Sequence, residues 1–256
     1  MKIVIIFLAL VLSSCSSLQK IPSLSENAGI PNIYPNYSTE NKIQYLITND
    51  ENNLHIRFNT SDRSSITKIL RGGLTVYIDA SGGKSQDIFV QYPIAHSDAS
   101  SRQSMRNTSD GERGEFDLNS IVSQVPEKAI ISVNKANESI HPAMNNLGIR
   151  VSVSVSNTNE LNYDLLIPFS KISNNGISSL ADLSIGIVTG KIEFPQMNRE
   201  RNEGDYAGSG RGGGNRDGIG GGGGRHGGGK SGNGIDRTSL NTPVDIWFKL
   251  DLYHSK

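Results

Sequence analysis

Gly82-Gly83-Lys84-Ser85 ends like a loop that wraps backbone amides around a phosphate. Such a loop needs another glycine five residues before Gly83, and Ile78 stands there, so a hairpin turn is expected instead. Asp79, Ser81 and Asp87 could offer oxygen atoms to calcium but lack the spacing of an EF-hand, which predicts a solvated turn. The five histidines, His55, His96, His141, His226 and His254, form no pair at i, i+2 or i, i+4, so no zinc site is expected. No Gly-x-Ser-x-Gly elbow occurs. No acid–base or nucleophile constellation is visible, and the chain is expected not to be an enzyme. One aromatic residue stands out. In Asp245-Ile246-Trp247-Phe248-Lys249-Leu250 the alternation puts Ile246, Phe248 and Leu250 on a core face. Trp247 then falls on the opposite face together with Tyr253. An indole there could stack on a sugar ring or a partner surface, or be covered by loops.

The single cysteine, Cys15, is the other residue with chemistry in reach. Lys2 precedes an unbroken apolar run from Ile3 to Leu12, followed by small residues, which is the pattern of a secretory signal. Ten apolar residues rise about 15 Å as a helix, about half of a hydrocarbon core, so the run is too short to span. Leu12-Ser13-Ser14-Cys15 resembles a bacterial lipobox, in which the cysteine is acylated and becomes the first residue. Residues 1–14 are thus expected to be a lipoprotein signal peptide and Cys15 the lipid attachment site. The expected location is the bacterial cell envelope, at the outer membrane or cell surface rather than the inner membrane. With Cys15 acylated, no thiol remains for a disulfide or a thiolate metal site.

The elements that must position Trp247 read as strands. Leu54-His55-Ile56-Arg57-Phe58 alternates apolar with polar, and Ile43-Gln44-Tyr45-Leu46-Ile47-Thr48 joins it through the polar turn 49–53. Ile149-Arg150-Val151-Ser152-Val153-Ser154-Val155 alternates throughout, and the turn 157–160 leads to Tyr163, Leu165 and Ile167 before Pro168. Runs at 74–78, 88–90, 130–133, 185–194 and 246–252 bring the count to eight or nine. Helical signals are few: Ser61 or Asp62 capping a helix through Ile66, Ile69 and Leu70 to Gly72, and a second from Asp117 with Leu118, Ile121, Val122 and Val125. The expected fold is all-β, an antiparallel β-sandwich of about eight to nine strands with one or two short helices.

The domain reading is a flexible tether over 15–41 and a sandwich over 42–256. Two stretches interrupt it: the polar segment 96–115, and a Gly-rich insertion at 198–237 with 17 glycines from Gly204 to Gly234. Such composition buries too little surface to offset its ordering entropy, so the insertion is expected to be disordered. Arg211-Gly212-Gly213 and Gly224-Arg225-His226-Gly227 have the look of RNA-binding segments. Yet seven basic residues from Arg199 to Arg237 face five acidic ones, and the whole chain balances 25 basic against 25 acidic residues. No nucleic-acid partner is expected.

The order of these pieces resembles the family 9 carbohydrate-binding-module-like proteins and the wider DOMON group. The likeness is carried by Ile47-Thr48-Asn49-Asp50 with Asn53-Leu54-His55-Ile56, by Ile69 to Asp79 with the turn Gly83-Lys84, by Leu161-Asn162-Tyr163-Asp164-Leu165-Leu166-Ile167-Pro168-Phe169, and by Leu183-Ser184-Ile185-Gly186-Ile187 ahead of Ile246-Trp247-Phe248-Lys249. It covers about 43–253 and implies a sandwich that binds saccharide. Family 9 modules clamp a terminal sugar between two tryptophans; this chain has one, so the clamp is not carried over. DOMON relatives that hold haem use Met with His or Lys, whereas Met105, Met144 and Met197 lie in loop-like sequence, so no cofactor is expected. The functional expectation is a membrane-anchored, non-catalytic binding module that takes carbohydrate through Trp247 and Tyr253. The alternative is a structural or scaffolding lipoprotein that binds an envelope protein.

Overall fold

The computed structural model describes residues 17–26, 33–95, 117–133, 135–192 and 237–254. Cys15, the polar segment 96–115 and all but the last residue of the Gly-rich insertion lie outside them. The described residues form two sheets packed face to face, with thirteen strands and three short α-helices. The fold is an all-β sandwich, as the alternation predicts.

The strands are β1 (Lys20–Pro22), β2 (Leu24–Ser25), β3 (Asn36–Ser38), β4 (Ile43–Asn49), β5 (Asn53–Thr60), β6 (Leu74–Asp79), β7 (Ile88–Gln91), β8 (Ala129–Val133), β9 (Ala136–Ile140), β10 (Arg150–Val155), β11 (Leu161–Pro168), β12 (Leu183–Thr189) and β13 (Asp245–Asp251). One sheet runs β1-β13-β12-β6-β7-β8-β9. The other runs β10-β11-β5-β4-β2, with β3 sharing the outer edge of β4. All pairings are antiparallel except β1 with β13 and β2 with β4. The helices are α1 (Arg63–Gly72), α2 (Leu118–Val122) and α3 (Arg237–Asn241).

Local chemistry sets the boundaries. Asp50 accepts from the backbone N–H groups of Asn52 and Asn53, which turns β4 into β5. Asp62 caps α1 by accepting from the Ser65 N–H at 3.0 Å, and Asp117 caps α2 in the same way through Ser120. Gly72, expected just beyond the first helix, is instead its last residue. Gly73 takes the left-handed turn that ends it, with φ of 73°. The second helix stops at Val122, short of Val125.

The core is the row of inward residues from both sheets. Phe58 pairs in register with Tyr45 on one side and Tyr163 on the other, and Phe248 from the facing sheet stacks on Tyr45 with centroids 5.1 Å apart. Phe58 and Tyr163 are parallel to within 9° at 4.5 Å. The Tyr163 hydroxyl is fully buried there and has no hydrogen-bond partner. A buried hydroxyl left unpaired costs about 1–3 kcal/mol. Tyr163→Phe is therefore expected to stabilise the domain by about 1 kcal/mol, read as a raised midpoint in urea. A loss of stability would mean that the hydroxyl is satisfied.

The tether expected over 15–41 does not hold for its described part. Residues 20–25 cross the open edge of the sandwich, pairing first with β13 of one sheet and then with β4 of the other. Between them Ser23 is buried; it donates to Asn49 Oδ1 at 2.5 Å and accepts from the Tyr253 N–H at 2.8 Å. Ile21 enters the core. Strands of three and two residues carry no periodicity to read, and their partners lie at the far end of the chain and in β4. That is why composition alone suggested a tether. As a strap they close two sheet edges that would otherwise expose unpaired backbone.

Candidate functional site

The outer face of the seven-stranded sheet carries a row of aromatic side chains in register. Gly186 on β12 pairs with Trp247 on β13 and with Tyr77 on β6, and Tyr77 pairs with Phe89 on β7. Side chains directly opposite on neighbouring strands share a face, so Trp247, Tyr77 and Phe89 stand together although 170 residues separate Trp247 from Tyr77. The indole and the Tyr77 ring are parallel to within 9°, with centroids 5.8 Å apart. Phe89 meets Tyr77 edge-on at 5.8 Å.

Gly186 makes this arrangement possible. A Cβ at that position would lie 2.5, 2.6 and 2.7 Å from three adjacent atoms of the Trp247 six-membered ring. Nearly equal distances to three neighbouring ring atoms mean that the carbon would meet the face of the ring, not its edge. The indole thus rests face-down on the β12 backbone, where any other residue would place a side chain.

The loop between β6 and β7 rims the patch. Asp79 organises it: its carboxylate accepts from the Ser81 N–H at 2.8 Å, the Ser81 hydroxyl at 2.6 Å and the Ser85 N–H at 2.8 Å. Burial pushes the Asp79 carboxyl up, but these bonds and one from the Gly83 backbone outweigh it and hold its pKa below the ordinary value. Asp79 is thus a buried turn organiser and not the solvated turn residue that the sequence suggests. Both of its oxygens are committed, and Asp87 sits apart, bonded to Ser85 and 3.7 Å from Lys135. The Gly83 carbonyl accepts from Ser184 Oγ at 2.5 Å, tying the loop to β12. From this loop Lys84 extends over Trp247, its Nζ 5.6 Å from the ring centroid. Lys249, two residues along β13 from Trp247, pairs with Asp182 at 3.7 Å.

Tyr253, the other expected site residue, is not part of this patch. It lies past the end of β13, six residues from Trp247 and so about 20 Å along an extended chain. Its backbone is fixed by Asn49, whose amide donates to the Tyr253 carbonyl at 2.9 Å while Oδ1 accepts its N–H at 3.0 Å. The side chain is 42% exposed beside a cleft lined by Ser25, Asp50, Asn52, Ile177 and His254. In its place the structure adds Tyr77, Phe89 and Gly186 to Trp247. Tyr77 was visible on the polar parity of Leu74-Thr75-Val76-Tyr77-Ile78, and an isolated glycine in a strand signals close approach. Phe89 sits in an all-apolar run that has no parity to read.

A second cluster occupies the outer face of the other sheet. Arg57 Nη2 donates to Glu26 Oε1 at 2.6 Å, and Arg57 Nε lies 3.4 Å from Asp164 Oδ2. His55 bridges the same carboxylates, Nδ1 to Glu26 at 3.2 Å and Nε2 to Asp164 at 2.8 Å, and Thr48 donates its hydroxyl to Glu26. Burial pushes the Glu26 carboxyl up, yet bonds from Thr48 and His55 and the Arg57 charge hold it below its ordinary value. Asp164 is lowered in the same way, burial being outweighed by the His55 bond and the charges of His55, Arg57 and Arg150. Both carboxylates and the imidazole are spent within the cluster, while Arg57 Nη1 is buried without a hydrogen-bond partner. Among the described residues no group of three or more His, Cys, Asp or Glu is placed to hold a metal.

No protein-family model matches the chain, and no curated protein matches it in sequence. Among solved structures it matches a family 9 carbohydrate-binding module from Caldicellulosiruptor kristjanssonii in complex with glucose. The TM-score is 0.36 and the identity 9%, over 93% of this chain and 97% of that one.

Proposed function

We propose that this chain is a non-catalytic binding module of the bacterial cell envelope, anchored by lipid on Cys15, whose outer sheet face binds carbohydrate through Trp247 and Tyr77. The observation that carries the reading is the indole laid over Gly186 with the Tyr77 ring parallel to it in the same register. A sugar ring presents a face of C–H groups with slight positive charge, and an aromatic face carries negative charge density that attracts it. The rim supplies polar groups for the sugar hydroxyls: the Lys84 and Lys249 ammoniums and the Asp182 carboxylate. The apolar run ahead of Leu12-Ser13-Ser14-Cys15 supports the anchoring. No helix among the described residues is long and apolar enough to cross a membrane.

The test is a glycan array followed by calorimetry, with Trp247→Ala run in parallel. A tryptophan at the centre of a binding face is commonly worth about 2 kcal/mol or more, so the variant is expected to bind about 30-fold more weakly. Equal binding by the two proteins would remove Trp247 from the site. Silence of the wild type across a broad array would set the carbohydrate reading aside in favour of a protein partner.

A further inference from the structure

We infer that the ligand of this face is an acidic saccharide, carrying a carboxylate or phosphate, and that Lys84 is the residue that reads its charge. The inference rests on the carbohydrate reading above. The inner face of the indole is taken by the Gly186 backbone, so a sugar must stack on the outer face. That face is already occupied: the sheet excludes Lys84 from below, which places its ammonium on the solvent side of the ring, 5.6 Å from the centroid. Any saccharide that stacks there displaces it.

The displacement has opposite consequences for neutral and acidic sugars. Moving an exposed lysine off an aromatic face forfeits a contact worth about two- to fivefold in an equilibrium constant. A neutral sugar offers the ammonium no charged partner in return, so Lys84 acts as its competitor. An acidic sugar gives the ammonium an anion within reach, and the contact with the ring is exchanged for an ion pair.

The surrounding charges favour the second case. Lys249 on the same face is matched by Asp182. Lys84 makes no ion pair among the described residues; Asp79, the acidic group of its loop, is spent on the turn, and Asp245, on the same face as Trp247, lies at the end of β13 away from that loop. The backbone that holds Lys84 is pinned by the Gly83–Ser184 bond and by the two committed oxygens of Asp79, while its side chain is exposed and able to swing. A fixed stem bearing one unpaired, mobile cation beside a stacking surface suits recognition of a negatively charged ring substituent.

The experiment is calorimetry on the detergent-solubilised full-length protein with matched sugar pairs: glucose- against glucuronate-terminated oligosaccharides, and plain against phosphorylated ones. Wild type, Lys84→Ala and Trp247→Ala are compared at low and high salt. The expected result is tighter binding of each acidic partner, weakened several-fold by Lys84→Ala and by salt, while neutral sugars bind Lys84→Ala as well as or up to fivefold better than wild type. Acidic sugars that bind no better than neutral ones, or that are indifferent to Lys84→Ala, would overturn the inference and leave the carbohydrate reading in place. Absence of any Trp247-dependent binding, to either set, would overturn both.

Discussion

Gly186→Leu is expected to abolish saccharide binding to the same extent as Trp247→Ala, about 30-fold or more, without touching any group that contacts the ligand. The reason is geometric. A Cβ at position 186 would stand 2.5 Å from the indole face, inside the distance at which carbon atoms can coexist, so the ring has to leave the sheet. A leucine also fills the space into which the ring would settle back. The domain should survive, because the outer face of β12 has solvent beyond it; overpacking of this kind costs about 1–3 kcal/mol. Trp247 is the only tryptophan, so its emission reports the displacement directly. The expected signature is a red-shifted emission maximum together with lost binding, in a protein that still unfolds cooperatively. Wild-type emission with wild-type affinity would show that the indole does not rest on Gly186, and the binding face would then need redrawing.

The same residues show how far local sequence reaches. The alternation of Ile246, Phe248 and Leu250 against Trp247 placed the indole on the outer face, because a period of two is a property of one strand. The capping aspartates and the turn at 49–53 were readable for the same reason: each acts within about four residues. The partners of Trp247 were not readable. Gly186 and Tyr77 reach it only through the strand order β13-β12-β6, and that order depends on which edges meet across more than a hundred residues. Tyr253 shows the opposite limit. It shares the parity of Trp247, but parity gives a face and says nothing of distance along it, and β13 ends at Asp251 before Tyr253 is reached. The N-terminal strap was hidden for a further reason. Polar residues such as Ser23 and Glu26 resemble a tether by composition, and only the partners at Asn49 and Arg57 show that they are bonded.

That strap leads to the largest expected effect on stability. Arg57 is 7% exposed and joins Glu26, which follows the strap, to Asp164 on the neighbouring strand. Replacing it with alanine leaves two carboxylates facing one another across His55 with no guanidinium between them. Breaking a buried charge pair costs about 3–5 kcal/mol; because Asp164 is partly open to water, Arg57→Ala is expected near the lower end, about 3 kcal/mol. The loss should appear first in the strap, as faster amide exchange at Ile21–Ser25 and earlier proteolysis between residues 17 and 26.

Acid should act on the same cluster. Glu26 and Asp164 both have native pKa values below their ordinary ones, so their stabilising effect is complete above their unfolded values, about 4.3 and 3.9. It is lost as pH falls through the lowered native values. The wild-type strap is thus expected to loosen only below about pH 4, and Arg57→Ala, which removes one cause of both shifts, should flatten that dependence. A change under about 1 kcal/mol, with unaltered exchange in the strap, would mean that Arg57 does not hold it. The consequence reaches the proposed anchor. Four residues separate Cys15 from Lys20, five chain steps that span at most about 17 Å, and Lys20 is paired with Lys249 on the strand that carries Trp247. With lipid on Cys15, a fastened strap would hold the aromatic face within that reach of the membrane, whereas a released one would let the domain drift by the length of the freed chain. Arg57→Ala is therefore expected to lower apparent affinity for surface-attached saccharide while leaving affinity for the same sugar free in solution unchanged.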